Sequence, residues 1–149
     1  MKNVPRKKFV NSGAAKTEWY KAILGDIAKE SVCPLCPKTM RWHTKPILKR
    51  FRGWLITENF NPYKNTAHHL LVISPIHKEK LHALTRGAWE SLAYLINWAI
   101  KKFRIKGGGI ALRFGDARFT GASVSHFHAH LIVPKIARGK TQPVSFPIG

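Results

Sequence analysis

The chain is poor in acidic residues and contains no long apolar segment. Its 149 residues include 7 Asp and Glu against 26 Lys and Arg, so the formal net charge is +19. The longest nearly apolar run, from Leu92 to Ile100, is much shorter than the roughly 20 residues that a membrane-spanning helix needs. The sequence therefore predicts no membrane span. Its charge favours polyanionic partners such as nucleic acid, nucleotides or anionic lipid, although a generally basic surface explains the charge equally well.

Cysteine is scarce as well, since Cys33 and Cys36 are the only two in the chain. A pair this close together is a poor structural disulfide and is more typical of a metal or redox site. The basic N-terminal stretch from Met1 to Lys8 is not followed by the apolar segment of a signal peptide. Both observations predict a protein of the reducing cytoplasm.

Apolar residues are numerous enough to build a core. They make up 44% of the chain and aromatic residues 11%, which excludes a disordered or low-complexity protein. Residues 1–15 mix basic, polar and glycine residues without periodicity, and we expect them to form a basic flexible arm. Residues 16–149 are expected to form a single domain.

Apolar spacing predicts an α+β fold with short connections, which suits an antiparallel sheet. The predicted elements are a helix over 17–29, strands over 53–58 and 69–73, a main helix over 85–103, and strands over 110–114 and 124–133. The segment 115–122 is predicted to be a polar loop. The basic stretch from Lys38 to Arg52 is either a solvated hairpin or a surface for nucleic acid.

Three histidines alternate with apolar residues at the end of the predicted sheet. They are His126, His128 and His130, and the period of two places their imidazoles on one face of a strand. Clustered imidazoles can bind a metal, activate water or act as a nucleophile. His43 and His82 belong to no motif and are expected at the surface, while His68 is expected to have a structural role on the opposite strand face from His69.

The segment from Gly121 to Ile132 closely resembles the signature of the histidine-triad nucleotide hydrolases and transferases, in which three histidines alternate with apolar residues. A second similar block runs from Asn61, eight residues before a histidine that opens an apolar strand, to His77. With the cysteine pair, the resemblance covers approximately residues 31–135. It implies the histidine-triad fold, with an antiparallel sheet of about five strands, a main helix and a short N-terminal helix.

The resemblance also implies roles for the matching residues. His128 would be the nucleophile that takes the nucleoside monophosphate, and Ser123 and His130 would hold phosphate oxygens or the leaving group. His69 would orient the imidazoles, and Asn61 would bind the ribose hydroxyls. Related transferases carry Gln at the third triad position, so His130 favours hydrolysis over nucleotidyl transfer.

One loop departs from the family pattern. Many members carry an Asn shortly before the triad, whereas this sequence has Gly115 and Asp116 there. With Arg113 and Arg118 nearby, this loop still offers positive charge to a phosphate chain, although exposed arginines often serve solubility alone.

The spacing of Cys33 and Cys36 is that of a zinc knuckle, which needs two more nitrogen or sulfur ligands. The resemblance implies that His77 and His126 complete a structural zinc site. Two free thiols and a redox pair are the alternatives that the spacing leaves open.

The main functional hypothesis is a hydrolase that cleaves at the α-phosphate of an adenosine nucleotide conjugate through a covalent nucleotidyl-histidine intermediate. Dinucleoside polyphosphates and nucleoside phosphoramidates are the candidate substrates. The charge keeps two alternatives open: an aprataxin-like deadenylase of DNA or RNA ends, and a nucleic-acid-binding module on the same fold. The deadenylase ranks second because the extension that those proteins carry after the triad domain is not expected in the 16 residues that follow Val133. A homodimer is compatible with the sequence.

Overall fold

The computed structural model describes residues 8–149, so residues 1–7 of the predicted arm lie outside the described part. The described helices are α1 (Glu18–Glu30), α2 (Arg86–Lys102) and the short α3 (Ala117–Thr120). The strands are β1 (Ile47–Phe51), β2 (Trp54–Glu58), β3 (Thr66–Ile73), β4 (Gly109–Leu112), β5 (His128–Pro134), β6 (Ile136–Ala137) and β7 (Lys140–Thr141). Among residues 8–149, no helix combines the length and apolarity that a bilayer crossing demands.

Five strands form one antiparallel sheet in the order β1-β2-β3-β5-β4. The central pair, β3 and β5, places Leu71 opposite His130 and Ile73 opposite His128. The predicted α+β class and five-stranded antiparallel sheet are thereby confirmed.

The two faces of the sheet carry separate apolar cores. Leu70 and Val72 of β3 pack with α2, whereas Leu71 and Ile73 pack with α1 and the cysteine knuckle. This alternation follows from the period of two in a strand with both faces buried. The face toward α1 also carries the histidines of β5, so α1 and the knuckle cover the side of the sheet where the motif lies.

Both long helices begin at the residues that their sequences predict. The hydroxyl of Thr17 accepts a hydrogen bond from the Tyr20 backbone N–H, and Thr85 caps α2 in the same way through Ala88. Such caps satisfy backbone donors that have no partner inside the first turn. Lys101 and Lys102 in the last turn of α2 complement the negative end of the helix dipole.

The structure contains a strand that the sequence interpretation did not include. β1 pairs with β2 through a tight turn in which Arg52 and Gly53 both have positive φ, at 48° and 80°. Two-residue hairpin turns of this kind match the twist of the strands. β1 lies at the edge of the sheet, and its charged residues, which obscured the apolar pattern, are typical of edge strands.

The last long strand is shorter than predicted, because β5 begins at His128 and not at residue 124. The residues before it leave the sheet and pair with residues 9–11, which the sequence assigned to the arm. The Asn11 N–H donates to the Ser123 carbonyl and the Ser125 N–H to the Phe9 carbonyl, both at 2.8 Å. Residues 9–11 are therefore attached to the domain by backbone hydrogen bonds. The predicted polar loop 115–122 contains α3.

The close approach of Gly108 to β5 yields a stability prediction. A Cβ atom at Gly108 would lie 2.5 Å from the Ile132 carbonyl oxygen, whereas a Cβ at Gly107 would meet no atom within 4 Å. We expect Gly108→Ala to lower the free energy of unfolding by about 1–3 kcal/mol, because the sheet edge must shift. Thermal unfolding of both variants checks this, with Gly107→Ala as the matched control. Equal melting temperatures for the two variants would contradict it.

Candidate active site and metal cluster

A cavity opens between α1, the knuckle and the histidine-bearing face of the sheet. We call this space the apolar cavity, because its inner wall is apolar. The apolar and aromatic residues that line it are Tyr20, Leu24, Ile27, Leu35, Trp42 and Phe60. His128, His130, Asn61 and Ser123 line the same cavity. The structure thus brings together four of the five residues predicted for catalysis and substrate binding, and His69 lies directly behind His130.

His128 presents one ring nitrogen that is available for chemistry. Its Nδ1 lies 2.6 Å from the carbonyl oxygen of His126, and a carbonyl only accepts, so Nδ1 carries the proton. The lone pair of the neutral ring is then on Nε2. Burial, together with the positive charge of Arg113, lowers the pKa of His128 below its ordinary value. The ring is accordingly neutral near pH 7 and has a nucleophilic nitrogen.

His69 and His130 form a hydrogen-bonded chain with a definite direction. The Tyr63 backbone N–H donates to Nδ1 of His69 at 3.0 Å, so the proton of the neutral His69 ring is on Nε2. That nitrogen lies 2.8 Å from Nδ1 of His130 and donates to it. The proton of His130 is therefore on Nε2.

Burial keeps both rings of this chain uncharged. It lowers the pKa of His69 to about 4, and it lowers the pKa of His130 well below the ordinary value. The Nε2 atom of His130 is buried and has no hydrogen-bond partner in residues 8–149. An unpaired buried donor costs about 1–3 kcal/mol, so this N–H is suited to a ligand acceptor.

Several residues that the sequence interpretation did not single out shape the site. Asn59 accepts a hydrogen bond from the Asn61 backbone N–H at 2.9 Å, and the Tyr20 hydroxyl lies 3.1 Å from the Ser123 hydroxyl. The Tyr63 ring is stacked parallel to His130 with centroids 5.9 Å apart. The only sequence signal for these residues is their proximity to Asn61 or to the helix start, because tertiary packing brings them to the histidines.

His43 corrects one expectation, since it is half-buried and lines the apolar cavity. Its Nε2 lies 2.7 Å from the Thr57 hydroxyl, which itself donates to the Pro46 carbonyl. His43 follows an irregular segment without periodicity, so no sequence signal indicated its burial. His68 agrees with expectation, because it packs against Phe103 on the opposite sheet face.

In the loop before the triad, Arg113 is the residue that reaches the site. Its Nε and Nη2 donate to the Pro147 carbonyl at 3.0 and 2.5 Å, and Nη2 also donates to the Tyr63 hydroxyl at 3.2 Å. Arg118 is instead bound to Asp116 on the surface. Of the two arginines that the sequence offered, Arg113 therefore supplies the positive charge at the site.

Cys33, Cys36, His77 and His126 form a cluster next to the apolar cavity. Their ligand atoms all lie within 4.8 Å of one another. The sulfur of Cys33 is 3.4 Å from Nδ1 of His126, and that of Cys36 is 3.7 Å from Nδ1 of His77. Tetrahedral zinc with ordinary bond lengths separates sulfur and nitrogen ligands by about 3.6 Å. These four residues could hold a zinc ion.

The histidines of this cluster are oriented as metal ligands require. Nε2 of His126 donates to the Ser74 carbonyl at 2.9 Å, and Nε2 of His77 lies 2.8 Å from a Glu79 carboxylate oxygen. Both rings therefore direct an unprotonated Nδ1 toward the sulfurs, as outer-shell hydrogen bonds do in metal sites. Burial raises the pKa of the Cys33 thiol to about 12, so a cation is needed to hold its thiolate at neutral pH.

Comparison with known proteins agrees with this geometry at the level of the fold. No protein-family model matches the sequence, and no curated protein is significantly similar to it. A histidine triad nucleotide-binding protein from Candida albicans has a similar structure, with 20% identity, a TM-score of 0.60, and coverage of 79% of this chain and 85% of that one.

Two hydrolases have similar structures as well. A HIT family hydrolase from Clostridium thermocellum is 21% identical, with a TM-score of 0.53 and coverage of 72% of this chain and 94% of that one. A HIT family hydrolase from Legionella pneumophila is 19% identical, with a TM-score of 0.52 and coverage of 70% and 95%. With its five-stranded sheet and clustered histidines, the chain has the histidine-triad fold.

Proposed function

We propose that this chain is a nucleotide hydrolase that cleaves at the α-phosphate of an adenosine nucleotide conjugate. The observation that carries the proposal is the orientation of His128, whose Nδ1 proton is held by the His126 carbonyl so that Nε2 has a free lone pair beside the cavity. A neutral imidazole in this tautomer is a competent nucleophile toward phosphorus.

In the first step, the Nε2 lone pair of His128 forms a bond to the α-phosphorus, and the bond from phosphorus to the leaving group breaks. The leaving group departs with the bonding electrons. The Nε2–H of His130 donates to a phosphoryl oxygen, and the Ser123 hydroxyl contributes a second hydrogen bond. Donors that are already oriented need little reorganisation as charge develops on these oxygens.

In the second step, water attacks the phosphorus of the nucleotidyl-histidine. The phosphorus–nitrogen bond breaks, its electrons return to Nε2, and the water proton is released to solvent as the nucleoside monophosphate leaves. Asn61 binds the ribose hydroxyls, and the apolar cavity takes the adenine between Trp42, Phe60 and the aliphatic residues of α1. His69 acts as a positioning residue, since it reaches the substrate only through His130.

We propose that the cluster of Cys33, Cys36, His77 and His126 holds a structural zinc ion. A closed set of four protein ligands has no open position for substrate, so the ion would supply cross-linking and folding free energy. The ion would link the cysteine knuckle to His126, which lies two residues before His128. His126 thus belongs to the cluster through its side chain and to the catalytic residue through its carbonyl group.

A second candidate, removal of AMP from DNA or RNA ends, is favoured by the high charge and by an aromatic and basic rim. Trp19 is 57% exposed and packs against Phe60, and the Arg41 guanidinium lies 4.2 Å from the Trp42 ring. Arg41 also forms an ion pair with Glu30, and other cations of the basic stretch are engaged as well: Lys45 with Glu58, Arg52 with Glu90, and Lys49 over the Trp98 ring. The small-nucleotide hydrolase remains the better-supported proposal.

The central prediction is that His128 becomes covalently nucleotidylated. His128→Ala should lower kcat by about 1,000-fold or more, because the variant has no nucleophile. Mass spectrometry of adducts trapped during turnover of diadenosine tetraphosphate should find AMP on the peptide that contains His128. His82→Ala, at an exposed position, is the matched control and should retain activity. An adduct on His126 or His130 would refute the assignment.

The cluster predicts one zinc ion per chain. Cys33→Ser and His126→Ala should lose the metal and unfold at lower temperature, because metal binding contributes folding free energy. His128→Ala removes a neighbouring triad histidine and should retain the metal. Elemental analysis and thermal unfolding of the purified proteins measure both effects. The zinc site would be ruled out if wild-type protein purified without chelator contained no metal and melted at the same temperature as the Cys33→Ser and His126→Ala variants.

The basic surface predicts a salt effect on encounter. If it attracts anionic substrates, kcat/KM should fall as salt rises while kcat changes little, because screening weakens long-range attraction. Steady-state kinetics over a range of salt concentrations test this. Submicromolar binding to unmodified DNA or RNA at about 0.15 M salt, lost when Lys45, Lys49, Arg50 and Arg52 are replaced by Ala, would favour the second candidate.

A further inference from the structure

A second cavity adjoins the apolar cavity, and hydrolysis at the α-phosphate does not by itself account for it. Three cations line it, Lys16, Lys64 and Arg113, and we call it the basic cavity. It is continuous with the apolar cavity, because Tyr20, Asn61, Tyr63, Arg113 and Ser123 line both. A ligand that contacts Ser123 at its α-phosphate can therefore extend past Ser123 into the basic cavity.

The cations of the basic cavity have no acidic partner in the part of the chain that the structure describes. Within residues 8–149, no Asp or Glu forms an ion pair with Lys16, Lys64 or Arg113. Burial, and also repulsion by the nearby charge of Arg113, lower the pKa of Lys16. Like charges held together without a counter-charge are stabilised when an anion binds between them.

The geometry of Arg113 indicates where the anion would bind. Its Nε and Nη2 are committed to the Pro147 carbonyl and the Tyr63 hydroxyl, and its guanidinium lies 3.9 Å from the Phe146 ring centroid. In the described part of the chain, the two N–H groups of Nη1 have no partner. The guanidinium is therefore fixed by three contacts while one edge remains available to a phosphate, which planar arginine donors bind well.

The segment that follows β7 holds this arrangement. Asn65 donates to the Pro143 carbonyl at 3.0 Å, and Phe146 packs against His130 with centroids 5.1 Å apart. Pro143, Ser145 and Pro147 line the outer side of the basic cavity. The Tyr63 ring connects the two sites, because it stacks on His130 and has the Lys16 ammonium 5.2 Å from its centroid.

We propose that the basic cavity binds the phosphates of the leaving group, so that the substrate is a nucleotide joined through an anhydride bond to further phosphate. This inference rests on the proposed hydrolase function. As the anhydride bond breaks, negative charge develops on the departing phosphate, and the cations of the basic cavity stabilise that charge. An amine leaving group gains no such stabilisation, so phosphoramidates should be poorer substrates.

Two sources can supply such a leaving phosphate: a soluble polyphosphate chain and the 5′-phosphate of a nucleic-acid end. Both present the same chemistry to Lys16, Lys64 and Arg113. Kinetics with diadenosine tetraphosphate and with a 5′-adenylated oligonucleotide distinguish these sources, because each substrate carries a different group beyond the first leaving phosphate.

The first experiment measures anion binding without catalysis. Inorganic tripolyphosphate is titrated by calorimetry into the full wild-type chain and into the double variant Lys16→Gln with Lys64→Gln. We expect the Kd for tripolyphosphate to be about 10-fold or more higher in the double variant, because two charge-assisted contacts are lost. Lys21→Gln with Lys101→Gln, two exposed lysines elsewhere, makes the same change in net charge and should alter Kd less than about 2-fold. Equal effects of the two double variants would overturn the proposal.

The second experiment compares substrates. In the Lys16 and Lys64 double variant, kcat/KM should fall by about 10-fold or more for diadenosine tetraphosphate or for the adenylated oligonucleotide, but by less than about 3-fold for adenosine phosphoramidate. An equal fall for all three substrates would overturn the leaving-group assignment. Lysine-dependent binding of tripolyphosphate by a protein that hydrolyses none of them would refute the hydrolase function and retain the anion site.

Discussion

The antiparallel pairing of β3 with β5 is the constraint on which the site depends. Its register sets His130 opposite Leu71 and His128 opposite Ile73, so histidines of β5 face the same side of the sheet as His69 of β3. The 2.8 Å contact between His69 and His130 requires this register. A slip of one residue would turn every side chain of β5 to the opposite face, so that the histidines would face the core formed with α2. The apolar residues that alternate with the histidines prevent such a slip, because they are buried in that core.

Burial and hydrogen bonding together give each imidazole a defined charge state and tautomer. Burial keeps the rings neutral, since it lowers the pKa of His69, His126, His128 and His130. Backbone groups then select the tautomer: the Tyr63 N–H for His69, the Ser74 carbonyl for His126, and the His126 carbonyl for His128. Identical residues at alternate positions thus become a metal-ligand candidate, a lone-pair donor and an N–H donor. The backbone groups determine these tautomers because carbonyls only accept hydrogen bonds and N–H groups only donate them.

Sequence reasoning reached the fold class, the main helices and the clustering of most site residues. Those inferences relied on local patterns: the helical spacing of apolar residues over 17–29 and 85–103, the alternation around His128, and the spacing of Cys33 and Cys36. It missed β1, because charged residues on an edge strand hide the period of two. It also missed the pairing of residues 9–11 with 123–125, which joins segments more than a hundred residues apart and has no local signature.

The sequence by itself indicated which side chains could perform chemistry, because the alternation of the histidines and the spacing of the cysteines are patterns among residues close together in the chain. The positions of Tyr63, His43 and Arg113 depend instead on contacts between distant segments. Arg113 is oriented by Tyr63 and by the Pro147 carbonyl, 34 residues further along the chain. Charge composition predicted an affinity for anions, but a binding site requires cations held together without acidic partners. That arrangement arises only when the chain packs, since packing determines which of its many lysines and arginines face one cavity.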